Sequence, residues 1–155
     1  NRLGGFLAAE AWAWHAGLLQ SRQADYDPLV AVRIRRGEKM LASDYLDLLA
    51  HIPRWIAGVA QRLAHANCDT MLMPTVPVVA PTVAELAGSD EAYFAVNGLI
   101  LRNPTLINFL DGAALSVPCQ EPGTGPVGFM VAGPAMSDRR ILSLGLAMES
   151  VLQPR

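Results

Sequence analysis

The segment Asp69-Thr70-Met71-Leu72-Met73-Pro74-Thr75-Val76-Pro77 passes from a short apolar run into a cluster of prolines. Residues 70–73 follow a long amphipathic stretch and predict a strand buried on both faces. Pro74, Pro77 and Pro81 then restrict the backbone to extended conformations and withhold ladder donors, so the strand ends there. The prolines make a stiff loop whose carbonyls and side chains keep fixed positions, which suits contact with a ligand.

Upstream of that segment, Tyr45, Leu48, Leu49, Ile52, Trp55, Ile56, Val59 and Leu63 recur at three- and four-residue spacing. They predict one amphipathic helix, capped by Ser43 or Asp44 and closed by Asn67-Cys68-Asp69. Pro53 lies inside it and predicts a kink, because it removes one hydrogen bond and crowds the preceding turn. Residues 7–19 are apolar nearly all round, the pattern of a buried helix. Asp27-Pro28 marks a turn, and residues 30–36 read as a short helix or turn before Gly37.

Downstream, Ser89 or Asp90 caps a helix reaching about Leu101. Asn103-Pro104 reads as a fresh N-cap with proline at the first helical position, starting a separate short helix to about Phe109. Residues 114–118 and 127–132 are apolar runs joined by a Gly/Pro loop, hence two strands. Ser137 or Asp138 caps a final helix carrying Ile141, Leu142, Leu144, Leu146, Met148, Val151 and Leu152. Strands alternating with helices imply an α/β layer structure, and 155 residues suffice for one core.

Apolar residues make up 52% of the chain and charged residues 17%, a more apolar balance than an average soluble domain. Part of that apolar surface is expected to face polypeptide outside this chain. The opening Asn1-Arg2-Leu3-Gly4-Gly5 reads as the middle of a protein. No apolar run reaches the ~18 residues of a membrane span, so no membrane partner is expected. The net charge is −2 and the one basic cluster, residues 33–39, contains Glu38, which argues against a nucleic-acid partner. Two cysteines, Cys68 and Cys119, fit reduced thiols and a cytoplasmic location.

Signals of chemistry are few. Gly123-Thr124-Gly125-Pro126-Val127-Gly128 has dinucleotide-turn spacing, but proline interrupts it and a strand comes where that motif needs a helix. It reads as a plain loop. His15, His51 and His65 lack metal-ligand spacing. Ser116 precedes Val117-Pro118 and suits a strand end, not an exposed nucleophile, and Cys119 reads as a buried inert thiol. Lys39 is the sole lysine and stands among Arg35, Arg36 and Glu38, so it reads as a solvated charge.

The order of motifs resembles the second half of an amidase signature family hydrolase. Tyr26-Asp27-Pro28, Arg33-Ile34 and Gly37, Asp44-Tyr45, then Asp69 with Met73-Pro74-Thr75-Val76-Pro77 and Ala80-Pro81 carry the first part of the likeness. Arg102-Asn103, Asn108, Ala114-Leu115-Ser116-Val117-Pro118, Pro126-Val127-Gly128 and Asp138 carry the rest. Pro104 departs from a common threonine, and Asp111-Gly112-Ala113-Ala114 from a more apolar Gly-Leu-Pro-Ala segment, which leaves the substrate open.

The resemblance implies an α/β fold with a large mixed β-sheet and helices on both faces, of which residues 1–155 are the C-terminal portion of a single amidase domain. It implies hydrolysis of a small carboxamide to a carboxylic acid and ammonia, by a serine activated through a second serine and a lysine, with no metal or organic cofactor. Those catalytic residues belong to the N-terminal half, absent here, so no catalytic residue is expected in this chain and no activity from it alone. Thr75, Val76 and Pro77 are expected to border the acyl side of the pocket, with Arg102 and Asn103 adding polar contacts or simply satisfying nearby backbone. Expected partners are the small carboxamide substrate and the missing N-terminal half, with a homodimer left open. Two alternatives stand beside this reading: the amidase subunit of a tRNA-dependent amidotransferase, and a non-catalytic interaction module.

Overall fold

In a computed structural model, described over residues 4–152, six helices and three strands are present among the described residues. They divide into two compact units, one running to Pro53 and the other from Arg54. The first contains α1 (Gly5–Ser21), α2 (Pro28–Arg35) and the start of α3 (Ala42–His65). Asp27 caps α2 by accepting from the amides of Leu29 and Val30 at 2.9 and 3.1 Å, with Pro28 at the first helical position. Its core is Leu19, Ala31 and Ile34, with Ala11, Trp12 and Tyr26 packed on them. A 3-10 turn, Arg36–Lys39, follows α2 and lies against α1.

Two expectations for this part need correction. Helix α1 is not buried all round: Leu7 is 69% exposed and Trp14 77%, because only the side carrying Ala8 and Leu19 meets other elements. The cap of α3 is also different. The helix starts at Ala42, and Asp44 sits in its first turn, its carboxylate accepting from the amide of Leu41 at 3.0 Å. Pro53 is accommodated within α3, which ends as expected: Asn67 adopts φ 49°, and the amides of Asn67 and Cys68 bond to Ala64 and Leu63 carbonyls. This is the left-handed helix stop that asparagine tolerates.

The second unit holds β1 (Met71–Pro74), α4 (Val83–Ala87), α5 (Asp90–Phe109), β2 (Ala113–Pro118), β3 (Gly128–Gly133) and α6 (Asp138–Leu152). The three strands form an antiparallel sheet in the order β1-β3-β2, with Met73 opposite Met130 and Ser116 opposite the same residue on the other side. Alternation puts Met71, Met73, Met130, Ala132 and Ser116 on one face, where Ile107 of α5 packs. Leu115, Val117 and Val131 occupy the other face, against α6. The expected α/β character and helices on both faces are therefore present, in a sheet with three strands among the described residues. Strand β1 is not buried on both faces, since Leu72 is 56% exposed: α6 packs mainly on β2 and β3.

The largest correction concerns Asn103-Pro104. No second helix starts there. Helix α5 runs unbroken from Asp90 to Phe109 with Pro104 inside it, opened by the Ser89 hydroxyl accepting from Ala92 at 3.2 Å. It stops at Asp111, φ 53°, whose amide bonds the Asn108 carbonyl while Gly112 bonds that of Ile107. Helix α6 starts at Asp138, directly after Ser137, whose carbonyl accepts from the Ile141 amide at 2.9 Å while its hydroxyl donates to the Pro134 carbonyl.

Helix α4 has no counterpart among the elements expected from the sequence, although Thr82 and Glu85 have the spacing of a capping box and form one. Hydrogen bonds from the Thr82 amide, and then from its hydroxyl, hold the Glu85 carboxyl below its ordinary value. A carboxyl depressed in the folded state favours folding above its ordinary pKa, and that contribution is lost as pH falls through the lower folded value. In a pH titration followed by NMR, the Thr82 amide resonance is expected to move with a midpoint below the ordinary glutamate value. A midpoint at or above the ordinary glutamate value would contradict the box.

Candidate functional site

The stiff loop after β1 is held from three directions. Pro74 ends the strand opposite Phe129, and one further ladder bond runs from the Thr75 amide to the Gly128 carbonyl at 2.8 Å. The Pro74 carbonyl accepts from the Asn103 side-chain amide at 2.8 Å. The Thr75 hydroxyl meets the Ser116 hydroxyl at 2.5 Å. Asn103 is only 7% exposed and is the one buried polar residue among the described residues. Its position follows from helix geometry: Asn103 and Ile107 are four residues apart and share a face of α5. Ile107 packs on the sheet while Asn103 reaches the end of β1.

Asn103 uses both ends of its amide, since its Oδ1 accepts from the Arg102 Nε at 3.3 Å. A buried amide left unpaired would cost about 1–3 kcal/mol, so this pairing explains how Asn103 is tolerated in a helix interior. Arg102 itself is exposed. Of the five residues singled out in the sequence, Asn103 and Thr75 are joined through Pro74, and Arg102 is joined to Asn103. Val76 and Pro77 come directly after Thr75, both half-buried. The Thr75 side chain turns to Ser116 and not to Arg102 or Asn103.

Sequence reasoning misses Ser116 and Gly128, taking the first as a strand end and the second as part of a loop. A signal exists for Ser116: alternation in Leu115-Ser116-Val117 sets a lone hydroxyl on the face opposite two apolar residues. Nothing local indicates that it meets Thr75.

The remaining titratable side chains do not gather there. Among the described residues no group of three or more His, Cys, Asp or Glu is placed to hold a metal. His15 Nδ1 and the Tyr26 hydroxyl are 2.7 Å apart in the first unit. Lys39 is exposed, in the 3-10 turn after α2. Cys119 is not fully buried, and its thiol faces the Val127 carbonyl at 3.6 Å. No described helix is long and apolar enough to cross a membrane.

Comparison with known proteins gives a consistent set of likenesses. The profile of the family described as Amidase matches residues 6–142. The chain is 30% identical over 152 residues to 2-amino-5-chloromuconic acid deaminase of Comamonas testosteroni, covering 97% of this chain and 32% of that protein. It is 31% identical over 138 residues to a glutamyl-tRNA(Gln) amidotransferase subunit of Salinispora tropica, covering 86% of this chain and 27% of that one. Among solved structures, the S177A form of Kluyveromyces lactis allophanate hydrolase superposes with a TM-score of 0.82 at 25% identity, over 97% of this chain and 24% of that one. The chain thus spans a third or less of the length of these relatives.

Proposed function

The chain belongs to the amidase family, and from that premise we propose that it is the C-terminal portion of an amidase that hydrolyses a small carboxamide to a carboxylic acid and ammonia. In this reading it supplies scaffold and pocket wall, while the serine pair and lysine that break the amide bond come from the N-terminal half. The observation that carries the reading is the alignment of 97% of this chain with 32% of the Comamonas deaminase. The exposed position of Lys39, the sole lysine, supports the view that the activating base lies elsewhere.

Thr75, Val76 and Pro77 form the wall on the acyl side. Proline and the three tethers on the loop remove most of its freedom before substrate arrives, so little ordering remains to be done on binding. Arg102 contributes a polar contact at the rim, and Asn103 holds both Arg102 and the loop in place. The chemistry needs no metal or organic cofactor. The two unpaired cysteines fit a reducing, cytoplasmic compartment. The exposed apolar side chains Leu7, Trp14, Leu142 and Leu146 fit a chain that is covered by the N-terminal half or, failing that, by a second copy of itself.

Ammonia release from a panel of small aliphatic and aromatic carboxamides tests the reading. The 155-residue chain is expected to remain at background, and the polypeptide that includes the serine-bearing half to release ammonia and acid in equal amounts. Turnover by this chain alone would sink the proposal. The likeness to a glutamyl-tRNA(Gln) amidotransferase subunit favours a second reading, which copurification of a partner protein would support.

A further inference from the structure

The geometry points to Ser116 as a positioning residue that sets the orientation of Thr75, and so the polarity of the acyl-side wall; this rests on the pocket-wall reading of the loop. Ser116 lies on β2, two strands away from Thr75, with the Gly128 end of β3 between them. The two hydroxyls meet at 2.5 Å across that intervening strand. They do so because residue 128 has no side chain. A Cβ there would overlap the Ser116 hydroxyl and approach the Thr75 hydroxyl to 2.7 Å. The hydroxyl pair fills the volume that any other residue at 128 would occupy.

The consequence follows from the chemistry of threonine. Its hydroxyl and methyl share one Cβ, so fixing the hydroxyl on Ser116 fixes the methyl too. The Thr75 backbone is already held, by the Gly128 carbonyl on its amide and by Asn103 on the preceding carbonyl. With the main chain fixed and the hydroxyl occupied, the methyl is the group Thr75 has left to offer a ligand, next in the chain to Val76 and Pro77, and the wall is apolar. Without Ser116 the side chain rotates and offers a hydroxyl to the same surface. Ser116 therefore acts through Thr75, and the substrate class it selects is a carboxamide with an apolar acyl group.

Two measurements separate this inference from the function on which it rests. In this chain, three-bond couplings from the backbone nitrogen and carbonyl carbon to the Thr75 methyl are expected to report one rotamer, and averaged rotamers in Ser116→Ala. Identical couplings in the two proteins would overturn the positioning role whatever the enzyme does. In the complete polypeptide, Ser116→Ala is expected to raise KM for an apolar acyl amide about fivefold with kcat nearly unchanged, the equivalent of one hydrogen bond's worth of orientation. Adding Thr75→Val, which has no hydroxyl to turn inward, is expected to bring KM back toward the starting value. A purely structural role for Ser116 predicts a double variant at least as impaired as the single one, and that result would also overturn the inference. A complete polypeptide that hydrolyses no amide would instead reject the proposed function and leave the coupling result standing.

Discussion

Gly37→Ala is expected to lower the stability of the first unit by about 3 kcal/mol or more, seen as a large fall in its urea midpoint. Gly37 is buried in the 3-10 turn that lies against α1. A Cβ added there would overlap the Ala8 carbonyl oxygen and come within 2.6 Å of the Ala8 carbonyl carbon and 2.7 Å of the Trp12 Cβ. The first two obstacles are main-chain atoms of α1. No rotamer change relieves them, so the turn must move away from the helix and open the packing around Leu19, Ala31 and Ile34. A Gly37→Ala chain that unfolds within about 0.5 kcal/mol of the original would show that the turn and α1 do not touch in solution.

Ile107→Ala is the second large effect, expected to cost the other unit about 2–5 kcal/mol. Ile107 is 5% exposed and packs on Met130 and Ala132, with Met71 and Met73 at the edge of the same cluster. It is the residue that seats α5 on the sheet, and it shares a helix face with Asn103, so its loss removes apolar burial and loosens the tether on Pro74 together. Leu146→Ala is the matched control. That side chain is 68% exposed on α6, and its truncation is expected to change stability by no more than about 0.5 kcal/mol. Equal effects at the two positions would mean that α5 does not cover the sheet.

Both positions also mark where local interpretation works and where it stops. Gly37 belongs to the motif order that suggests the family, yet the reason for a glycine there is an approach to Ala8, 29 positions earlier in the chain. Asn103 stands out in the sequence too, but its 2.8 Å bond to the Pro74 carbonyl, 29 positions earlier, is visible only in the fold. For Ser116 the reading as a strand end is correct for its element and silent about its partner.

Interactions spanning a few residues are readable from residue order: the break at Asp27-Pro28, a helix start at Ser89 or Asp90, the stop at Asn67, the periodic face of α3, the end of β1 at its prolines and the α/β alternation. Each follows from the bonding capacity of one side chain or the repeat of one helix. Folding in three dimensions settles the rest: the exposed side of α1, the β1-β3-β2 order, the meeting of Thr75 with Ser116, and the continuity of α5 through Pro104. A proline inside a helix costs about 3 kcal/mol, which local preference alone resolves as a break. Burial of Ile107 and the bonding of Asn103, on either side of Pro104, offset that cost with partners lying 23 or more positions away along the chain.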